Sequence, residues 1–410
     1  MRATNFSTLY RTVAAVCILI ASALSLDARA QAGHAHHNVA TGKRIELGTT
    51  VALDAAGRFW AVSKESAGDA QFVVLQSSDD GGRTWSSPVR IQKEPEAIAA
   101  DGENRPKVTI GKQGEIFITY TKPLAKPYTG EIRFVRSLDG GKTFLPPITV
   151  HANRDEITHR FDSLVVDRSG RIYVAWIDKR DGIAAAARKE TYRGAALYYA
   201  VSEDGGASFK GDIKIADHSC ECCRIALALN QEGRPVAMWR HVFAPNVRDH
   251  AMAELTHEGK AMPLSRASFD NWRIDACPHH GPSLAFGDDG TRHQVWFSMK
   301  DDDGGIFYAH ATPAGKLSTP IKLGAPNAEH AEVAVDGKRV VLAWKQFDGK
   351  STAIFGKLSN DGGTTWRDQE LARTEGASDH PHLLNTPSGI LLAWRTQAEG
   401  IRIVHVQGEK

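Results

Sequence analysis

A short segment with the pattern Ser-x-Asp-x-Gly-x-Thr/Ser-Trp/Phe occurs four times in this chain. The copies are residues 78–85, 137–144, 202–209 and 359–366. In each copy the Asp carboxylate and the Ser hydroxyl are suited to bind backbone N–H groups of a tight turn, and the Gly supplies a positive φ. Each copy follows an apolar alternating run, so its final aromatic residue is expected to pack a hairpin onto its sheet. A repeat of this kind indicates a repeat architecture.

A second pattern, an apolar strand followed by a Gly turn and a strand that ends in an aromatic residue, occurs in seven units. These units are residues 57–60, 114–120, 170–176, 233–239, 290–296, 339–344 and 389–394, spaced by about 50–60 residues. Short strands with period-2 alternation at this spacing predict four-stranded antiparallel blades around an axis. The sequence therefore predicts an all-β fold, a β-propeller of seven blades, with six as the alternative.

Three of the units depart from the repeat. Residues 256–259 and 312–315 replace the turn motif in the fourth and fifth units, and the seventh stops after 401–406, one strand short of a blade. We expect residues 44–47 to supply the missing outer strand. This pairing of N- and C-terminal strands would close the ring and remove exposed sheet edges.

The N-terminus has the form of an export signal. Arg2 and Arg11 precede an apolar stretch at 13–24, and 28–30 has the Ala-x-Ala form of a cleavage site. Such a segment indicates a cleavable signal peptide and a periplasmic or secreted protein, and the stretch is too short for a membrane anchor. We therefore predict a signal peptide at 1–30, a flexible histidine-containing segment at 31–42 and a single propeller domain at 43–410.

The charge balance excludes one class of partner. The chain has 50 basic and 48 acidic residues, and removal of 1–30 leaves equal numbers of each. A neutral protein offers no electrostatic case for nucleic acid or an anionic membrane as its main partner. No segment after the signal approaches a membrane span. We expect a small ligand, a glycan or a metal ion at the axis, and a protein partner on the rim is a further possibility.

The repeated turns look like Asp-boxes, also called BNR repeats, and the chain resembles the sialidase superfamily of propellers over nearly its whole mature length. In that superfamily the Asp-boxes lie on the periphery of the blades, away from the central site. The resemblance therefore implies the fold, and function has to be argued from the residues at the axis.

Counting back from the aromatic residue of each unit aligns the positions that face the axis. Sixteen residues before it stand Arg160, Cys223 and His280, and seventeen before it stand His159, Cys222 and His279. Arg105 lies fifteen residues before its aromatic, and His330 and His380 lie fourteen before theirs. Successive blades are thus predicted to present Arg, Arg, Cys, His, His and His at one level of the axis.

The cysteines and histidines of this register predict a metal site. Its candidate ligands are Cys220, Cys222, Cys223, Cys277, His279 and His280, with His330, His380 and His382 as outer candidates. Thiolates with imidazoles favour Cu(I) or Zn(II), and copper is preferred for Cys-x-Cys in an exported protein. On an extended strand Cys220 and Cys222 would point the same way and Cys223 the opposite way. His34, His36 and His37 form a second histidine-rich stretch.

Disulfides are the alternative for the same cysteines. In an oxidising compartment such residues usually pair, and a bond from the first group to Cys277 would join blades four and five. The chain would then be a non-catalytic scaffold whose rim binds a protein. Taken singly, His330, His380 and His382 have an alternative role as ordinary histidines that form hydrogen bonds within the fold. Both interpretations remain open from the sequence.

The resemblance also implies an exo-α-sialidase type of glycoside hydrolase as an alternative function. Enzymes of that superfamily bind the substrate carboxylate with three arginines and use a Tyr nucleophile with an Asp acid/base. The residues available for these roles are Arg105, Arg160, Arg240, Arg395 and Asp162. The first arginine departs from the superfamily motif, because it stands in Asn104-Arg105-Pro106, and no Tyr/Glu pair is evident. The other role for these arginines is to fix loops between blades.

Overall fold

The structure is a computed structural model that describes residues 45–260, 262–274, 278–300 and 303–406. These residues form seven antiparallel sheets, numbered here as blades one to seven in chain order. The innermost strand of each blade contacts that of the next, and the last contacts the first, so the blades form a closed ring. The predicted β-propeller is confirmed, with seven blades rather than six.

The strands follow one another within each sheet in chain order. Blades one and two contain β1 (Thr50–Leu53), β2 (Phe59–Ala67), β3 (Ala70–Ser78), β4 (Val89–Arg90), β5 (Lys107–Ile110), β6 (Ile116–Pro123), β7 (Gly130–Ser137) and β8 (Ile148–Thr149). Blades three and four contain β9 (His159–Val166), β10 (Ile172–Asp178), β11 (Ala195–Ser202), β12 (Lys210–Ser219), β13 (Ala226–Leu229), β14 (Pro235–Arg240), β15 (His250–Glu254) and β16 (Ser265–Arg266). Blades five to seven contain β17 (Ser283–Phe286), β18 (Arg292–Lys300), β19 (Asp303–Ala311), β20 (Ile321–Leu323), β21 (Ala328–Asp336), β22 (Arg339–Phe347), β23 (Thr352–Ser359), β24 (Arg367–Thr374), β25 (His382–Thr386), β26 (Gly389–Thr396) and β27 (Gly400–His405).

The second strand of a blade is its most deeply buried part. Every residue of β10 and of β14 is buried, whereas both residues of the outermost strand β4 are exposed. The reason is that neighbouring blades pack face to face and cover both sides of the middle strands. One apolar cluster, for example, joins Leu197 of blade three to Trp239 of blade four. The core is thus a ring of layers between blades.

The four repeated turns connect the third and fourth strands of their blades and share one set of hydrogen bonds. In the first, the Ser78 hydroxyl donates to Asp80 Oδ1 at 2.8 Å and accepts from the Gly82 N–H at 2.9 Å. Asp80 also accepts from the Thr84 N–H at 2.9 Å and from its hydroxyl at 2.6 Å. The same bonds recur around Asp139, Asp204 and Asp361. The turns therefore lie in the outer half of the blades.

The glycine of each turn also makes the contact with the preceding blade. Gly82 has a φ of +82°, and a Cβ there would overlap the side chain of Ile403 in blade seven. A Cβ at the corresponding glycine of the other three turns would meet, in order, Trp60, Phe134 and Tyr308 of the preceding blade. Only glycine allows both the left-handed backbone and this close approach.

The predicted closure of the ring by strand pairing is wrong for the described residues. The seventh sheet has three strands, and residues 45–47 form no strand. This segment is held elsewhere, because Glu46 pairs with Lys64 of β2 and the Gly48 N–H donates to Ala100 O at 3.3 Å. Blades one and seven instead meet through side chains, in an apolar cluster that includes Val51 and Leu391.

One helix, α1 (Arg180–Ala187), interrupts the repeat between β10 and β11. It is fixed to blade three through Asp181, which accepts a hydrogen bond from the Tyr198 hydroxyl at 2.7 Å and pairs with Lys214 at 2.9 Å. Within the described ranges, no helix has the length and apolar character needed to cross a membrane.

Candidate functional site

The hub, meaning the innermost strands and the loops that lead into them, contains a buried carboxylate that the sequence analysis did not select. Glu103, in the loop before β5, accepts hydrogen bonds from the backbone N–H groups of Arg224 and Gly281 at 3.1 and 3.2 Å. The Arg224 guanidinium lies 3.4 Å from it and His330 Nδ1 lies 2.9 Å from it. Burial acts to raise the pKa of this carboxyl, but Arg224 and His330 hold the pKa well below its usual value. Glu103 is therefore an anion that joins three blades.

Three histidines from consecutive blades meet beside Glu103. His280 precedes β17, His330 lies in β21 and His380 precedes β25. The ring centroids of His280 and His330 are 4.7 Å apart, and those of His330 and His380 are 3.5 Å apart. The structure thus brings together three of the histidines that the register aligned. We call Glu103 and these three histidines the hub cluster.

Local backbone features aim the hub cluster inward. His330 has a φ of +52° and lies in a β-bulge between Glu329 and Glu332. A bulge of this kind redirects a side chain at the cost of some strain. Gly102, with a φ of +83°, has no side chain where the His380 ring lies, and a Cβ there would overlap that ring. The His380 imidazole therefore packs directly on the loop that carries Glu103.

Two imidazole nitrogens of the hub cluster are buried without a hydrogen-bond partner among the described residues, His280 Nδ1 and His380 Nδ1. Burial, together with the neighbouring His330, lowers the pKa of both imidazoles well below the usual histidine value, so both are neutral at pH 7. An unsatisfied buried polar atom costs about 1–3 kcal/mol. Neutral imidazoles are also the form in which histidine binds metal ions.

The three described cysteines form a second group, the thiol group, between β12 and β13. Cys220 Sγ lies 3.7 Å from Cys222 Sγ and 3.8 Å from Cys223 Sγ, and all three atoms lie within 4.8 Å of one another. Residues 221–223 form a bend rather than an extended strand. The prediction that Cys223 points away from the other two is therefore wrong, because the bend turns all three side chains to one point.

The thiol group is buried in the apolar layer between blades three and four, beside Trp239. Its sulfur–sulfur distances of 3.7 and 3.8 Å exceed the length of a disulfide bond, about 2.05 Å, so these pairs are not bonded. The Arg248 guanidinium lies 3.6 Å from Cys220 Sγ. Hydrogen bonding to Cys220 and burial raise the pKa of the Cys223 thiol. The fourth predicted cysteine, Cys277, lies outside the described residues, and its predicted pairing stays a prediction.

The predicted ligands are thus brought together in two groups of different chemistry rather than one. Arg224 connects them, because it follows Cys223 directly and its backbone N–H and guanidinium both bind Glu103. His279 is exposed and has a φ of +56°. His382 is held elsewhere, since its Nδ1 lies 3.2 Å from a carboxylate oxygen of Glu332 and its Nε2 lies 3.2 Å from Val51 O.

The residues considered for a sialidase-type reaction have partners within the fold. Arg105 forms a buried ion pair with Asp379 at 2.8 Å and also donates to Thr49 O at 2.8 Å. The Arg395 guanidinium donates to the Thr49 hydroxyl at 3.2 Å. Arg240 donates to the carbonyl oxygens of Arg248, His280 and Phe297. These contacts correspond to the loop-fixing role.

Two further candidates belong to blades two and three. Arg160 lies 3.7 Å from Asp101 and above the ring of Phe161. Asp162 accepts hydrogen bonds from the hydroxyls of two threonines of β6 at 2.6 and 3.2 Å and lies 3.7 Å from the ammonium of Lys107. Histidines 34, 36 and 37 lie outside the described residues.

The sequence held a signal for Glu103. It stands seventeen residues before Tyr120, the same offset that relates His159, Cys222 and His279 to their own aromatic residues. The register that aligns cysteine, histidine and arginine at the axis therefore includes this glutamate as well. A carboxylate at this offset is as informative as an imidazole.

One small cavity adjoins the hub cluster. It is lined by His280, His330, Phe297 and Ala331 and has a volume of about 10 Å³. This is room for about one water molecule, whereas ligand pockets usually measure about 300–1,000 Å³. A sugar ring therefore does not fit into this cavity.

Comparison with known proteins relates the chain to other propellers by structure. No protein-family model and no curated protein sequence matches it. Its structure is similar to that of a polysaccharide lyase, the PL25 ulvan lyase, with 10% identity, a TM-score of 0.54, and coverage of 86% of this chain and 90% of that chain. It is also similar to the structure of a Dyadobacter fermentans protein of unknown function, with 16% identity and a TM-score of 0.50. That match covers 77% of this chain and 95% of the other.

The sialidase NanB of Streptococcus pneumoniae is also matched, with 10% identity and a TM-score of 0.45. That match covers 73% of this chain and 65% of NanB. The similarity to the ulvan lyase and to the Dyadobacter fermentans protein, at 10% and 16% identity, establishes the fold and leaves the reaction open. The resemblance drawn from the repeated turns is therefore confirmed for the propeller fold. The assignment of those turns as Asp-boxes stays a prediction.

Proposed function

We propose that this protein is an exported metal-binding propeller whose thiol group binds one soft transition-metal ion, with Cu(I) preferred and Zn(II) as the alternative. The observation that carries the proposal is the convergence of three buried sulfur atoms within 4.8 Å of one another. Thiolate sulfur is the ligand that selects Cu(I) and zinc among the biological metals. Export rests on the N-terminal segment and belongs to the proposal.

The surroundings of the thiol group suit a bound ion. Metal binding requires thiolates, which carry negative charge. The Arg248 guanidinium, 3.6 Å from Cys220 Sγ, supplies a positive charge that stabilises them. The apolar layer around Trp239 excludes water, which protects a Cu(I)–thiolate unit from exchange and oxidation.

Metal titration of a thiol variant tests the proposal. Full-length protein is purified under reducing, oxygen-free conditions and titrated with Cu(I) against a chromogenic Cu(I) chelator. The wild type is expected to bind one equivalent, and the Cys220→Ser/Cys222→Ser variant is expected to lose at least about 100-fold in affinity, because ligand loss costs more than the 10–100-fold typical of outer-shell changes. Ser219→Ala, at the adjacent position, is the matched control and keeps wild-type affinity.

Thiol counting separates this proposal from the disulfide alternative. Denatured protein is titrated with a thiol reagent before and after reduction. Equal counts support thiol ligands, whereas a gain of two or four thiols on reduction supports the scaffold with bridges to or near Cys277. Equal Cu(I) affinity in the wild type and in the double Cys variant would refute the metal proposal.

A glycan-degrading activity is the second candidate function, and the observation that favours it is the shared fold with the ulvan lyase at a TM-score of 0.54. A sialidase-type reaction is tested with a fluorogenic sialoside between about pH 4 and 8, the range of carboxyl acid/base catalysis. An active enzyme would lose its rate in Arg105→Ala. Absence of turnover over this range would remove the sialidase candidate.

A further inference from the structure

The geometry points to a second metal site, at the hub, in which Glu103, His330 and His380 bind one divalent transition-metal ion such as Zn²⁺ or Cu²⁺. One ligand atom from each of the three residues lies within 4.8 Å of the others. Ligands of a tetrahedral ion with bonds of about 2.0–2.2 Å stand about 3.4 Å apart. Small side-chain rotations therefore bring all three to one ion. This site is independent of the thiol group.

The donor set defines the ion. Two imidazoles and a carboxylate suit Zn²⁺ and Cu²⁺, whereas Cu(I) prefers sulfur. The hub site and the thiol group therefore select different ions, or different oxidation states of copper.

His380 Nδ1 is the atom that most directly indicates a ligand. It is buried and has no hydrogen-bond partner in the described part of the chain. Its ring lies 3.5 Å, centroid to centroid, from that of His330, whose own Nδ1 is held by Glu103 at 2.9 Å. A bound cation would satisfy His380 and would explain why two imidazoles are packed together against a carboxylate.

The hub also provides charge and access for an ion. The Arg224 cation is neutralised by Glu103, and a second carboxylate, Glu329, lies 3.8 Å from His330 Nε2. The Glu329 side chain is 38% exposed and that of His330 is 11% exposed, so an ion can enter from solvent along Glu329. The His280 ring is tilted by 42° against that of His330, with the centroids 4.7 Å apart, and is available as a further ligand.

The test uses the full-length protein with Cys220→Ser, Cys222→Ser, Cys223→Ser and Cys277→Ser, here called the Cys variant, so that these sulfur atoms neither bind the metal nor reduce Cu²⁺. Chelator-treated protein is titrated with Zn²⁺ by calorimetry, and Cu²⁺-loaded protein is studied by electron paramagnetic resonance. We expect one bound equivalent and nitrogen couplings from imidazole ligands. Adding His330→Ala and His380→Ala is expected to lower Zn²⁺ affinity at least about 100-fold and to remove those couplings.

Two further variants keep the test decisive. His382→Ala is the matched control, because this histidine is held by Glu332 outside the hub cluster. This variant is expected to keep the Zn²⁺ affinity of the Cys variant. Glu103→Gln preserves the size of the side chain and is expected to weaken Zn²⁺ binding about tenfold or more while circular dichroism stays unchanged. The hub site is refuted if the Cys variant binds no Zn²⁺ or Cu²⁺, or if the His330/His380 variant binds them equally well. Loss of Cu(I) binding in the Cys variant alone concerns the thiol group and leaves this result unaffected.

Discussion

The repeated turns and the hub use the same carboxylate chemistry in opposite ways. At the rim, Asp80 is only half-buried and binds groups no more than four residues away. At the hub, Glu103 is buried and binds His330, which is 227 residues away in the chain. The hydrogen bonds of the rim turn all lie within one short segment of the chain. The hub exists only when the ring has closed, so its stability and its chemistry depend on the whole molecule.

The largest expected effect is at the hub. Asp379→Ala removes the partner of Arg105 in an ion pair whose side chains are only 8% and 2% exposed. An unpaired buried charge usually destabilises a protein by about 3–5 kcal/mol. Urea unfolding followed by tryptophan fluorescence measures the loss.

The matched rim variant is Asp79→Ala, which breaks an ion pair with Arg58 whose side chains are 41% and 69% exposed. Exposed pairs are worth about 0–1 kcal/mol. If Asp79→Ala lowered the free energy of unfolding as much as Asp379→Ala, burial would not be the reason for the difference between rim and hub.

A medium loss of stability is expected where a rim turn contacts the preceding blade. Gly82→Ala forces a side chain into a left-handed backbone and into Ile403. Strain and overpacking together are expected to cost about 2–4 kcal/mol, measured by the same unfolding experiment.

Gly81→Ala is the control for this substitution. Its φ is +78°, but a Cβ there meets nothing within 4 Å, so only the backbone strain of about 1 kcal/mol is expected. Equal losses at the two glycines would mean that the turn does not support the contact between blades.

The smallest expected effect is on the pH dependence of stability, through the carboxylate of Asp139 in the second repeated turn. Hydrogen bonds from Thr143, first its hydroxyl and then its N–H, lower the pKa of Asp139 from 3.8 to about 2. Because the folded state binds this proton less readily than the unfolded chain, the carboxylate stabilises the fold above pH 4, and the contribution is lost as the pH falls through 2. Thermal unfolding should show that Asp139→Asn lowers the melting temperature at pH 6 and has little effect at pH 2.

Asp69→Asn, in the exposed hairpin between β2 and β3, is the control for the pH experiment. A constant difference between Asp139→Asn and the wild type from pH 6 to pH 2 would contradict the assignment to the carboxylate.

The comparison of rim and hub also explains what the sequence could predict. Seven blades and the four turns followed from patterns that are complete within a few residues, such as the bonds around Asp80. The meeting of His280, His330 and His380 followed from counting positions against a buried aromatic, because that residue fixes the register of each blade.

Other features depended on contacts that no local pattern contains. The bend at residues 221–223 follows Cys220, whose N–H donates to the carbonyl oxygen of Arg240, in β14 of the next blade, at 2.9 Å. Residues 44–47 had the character of a strand, but the described part of the segment is held by Lys64 and Ala100. Long-range partners decided both outcomes.

Among the residues that the structure describes, the seventh blade has three strands, and this gives the ring a mechanical seam. Every other pair of neighbouring blades is joined by the chain itself, whereas blades seven and one are joined by apolar packing and a few bonds such as Trp85 Nε1 to Ile401 O at 3.2 Å. Under force applied to both ends of the chain, these contacts bear the load before any sheet does. The propeller is therefore expected to open there first, which separates His380 from Glu103 while the thiol group, between blades three and four, stays assembled.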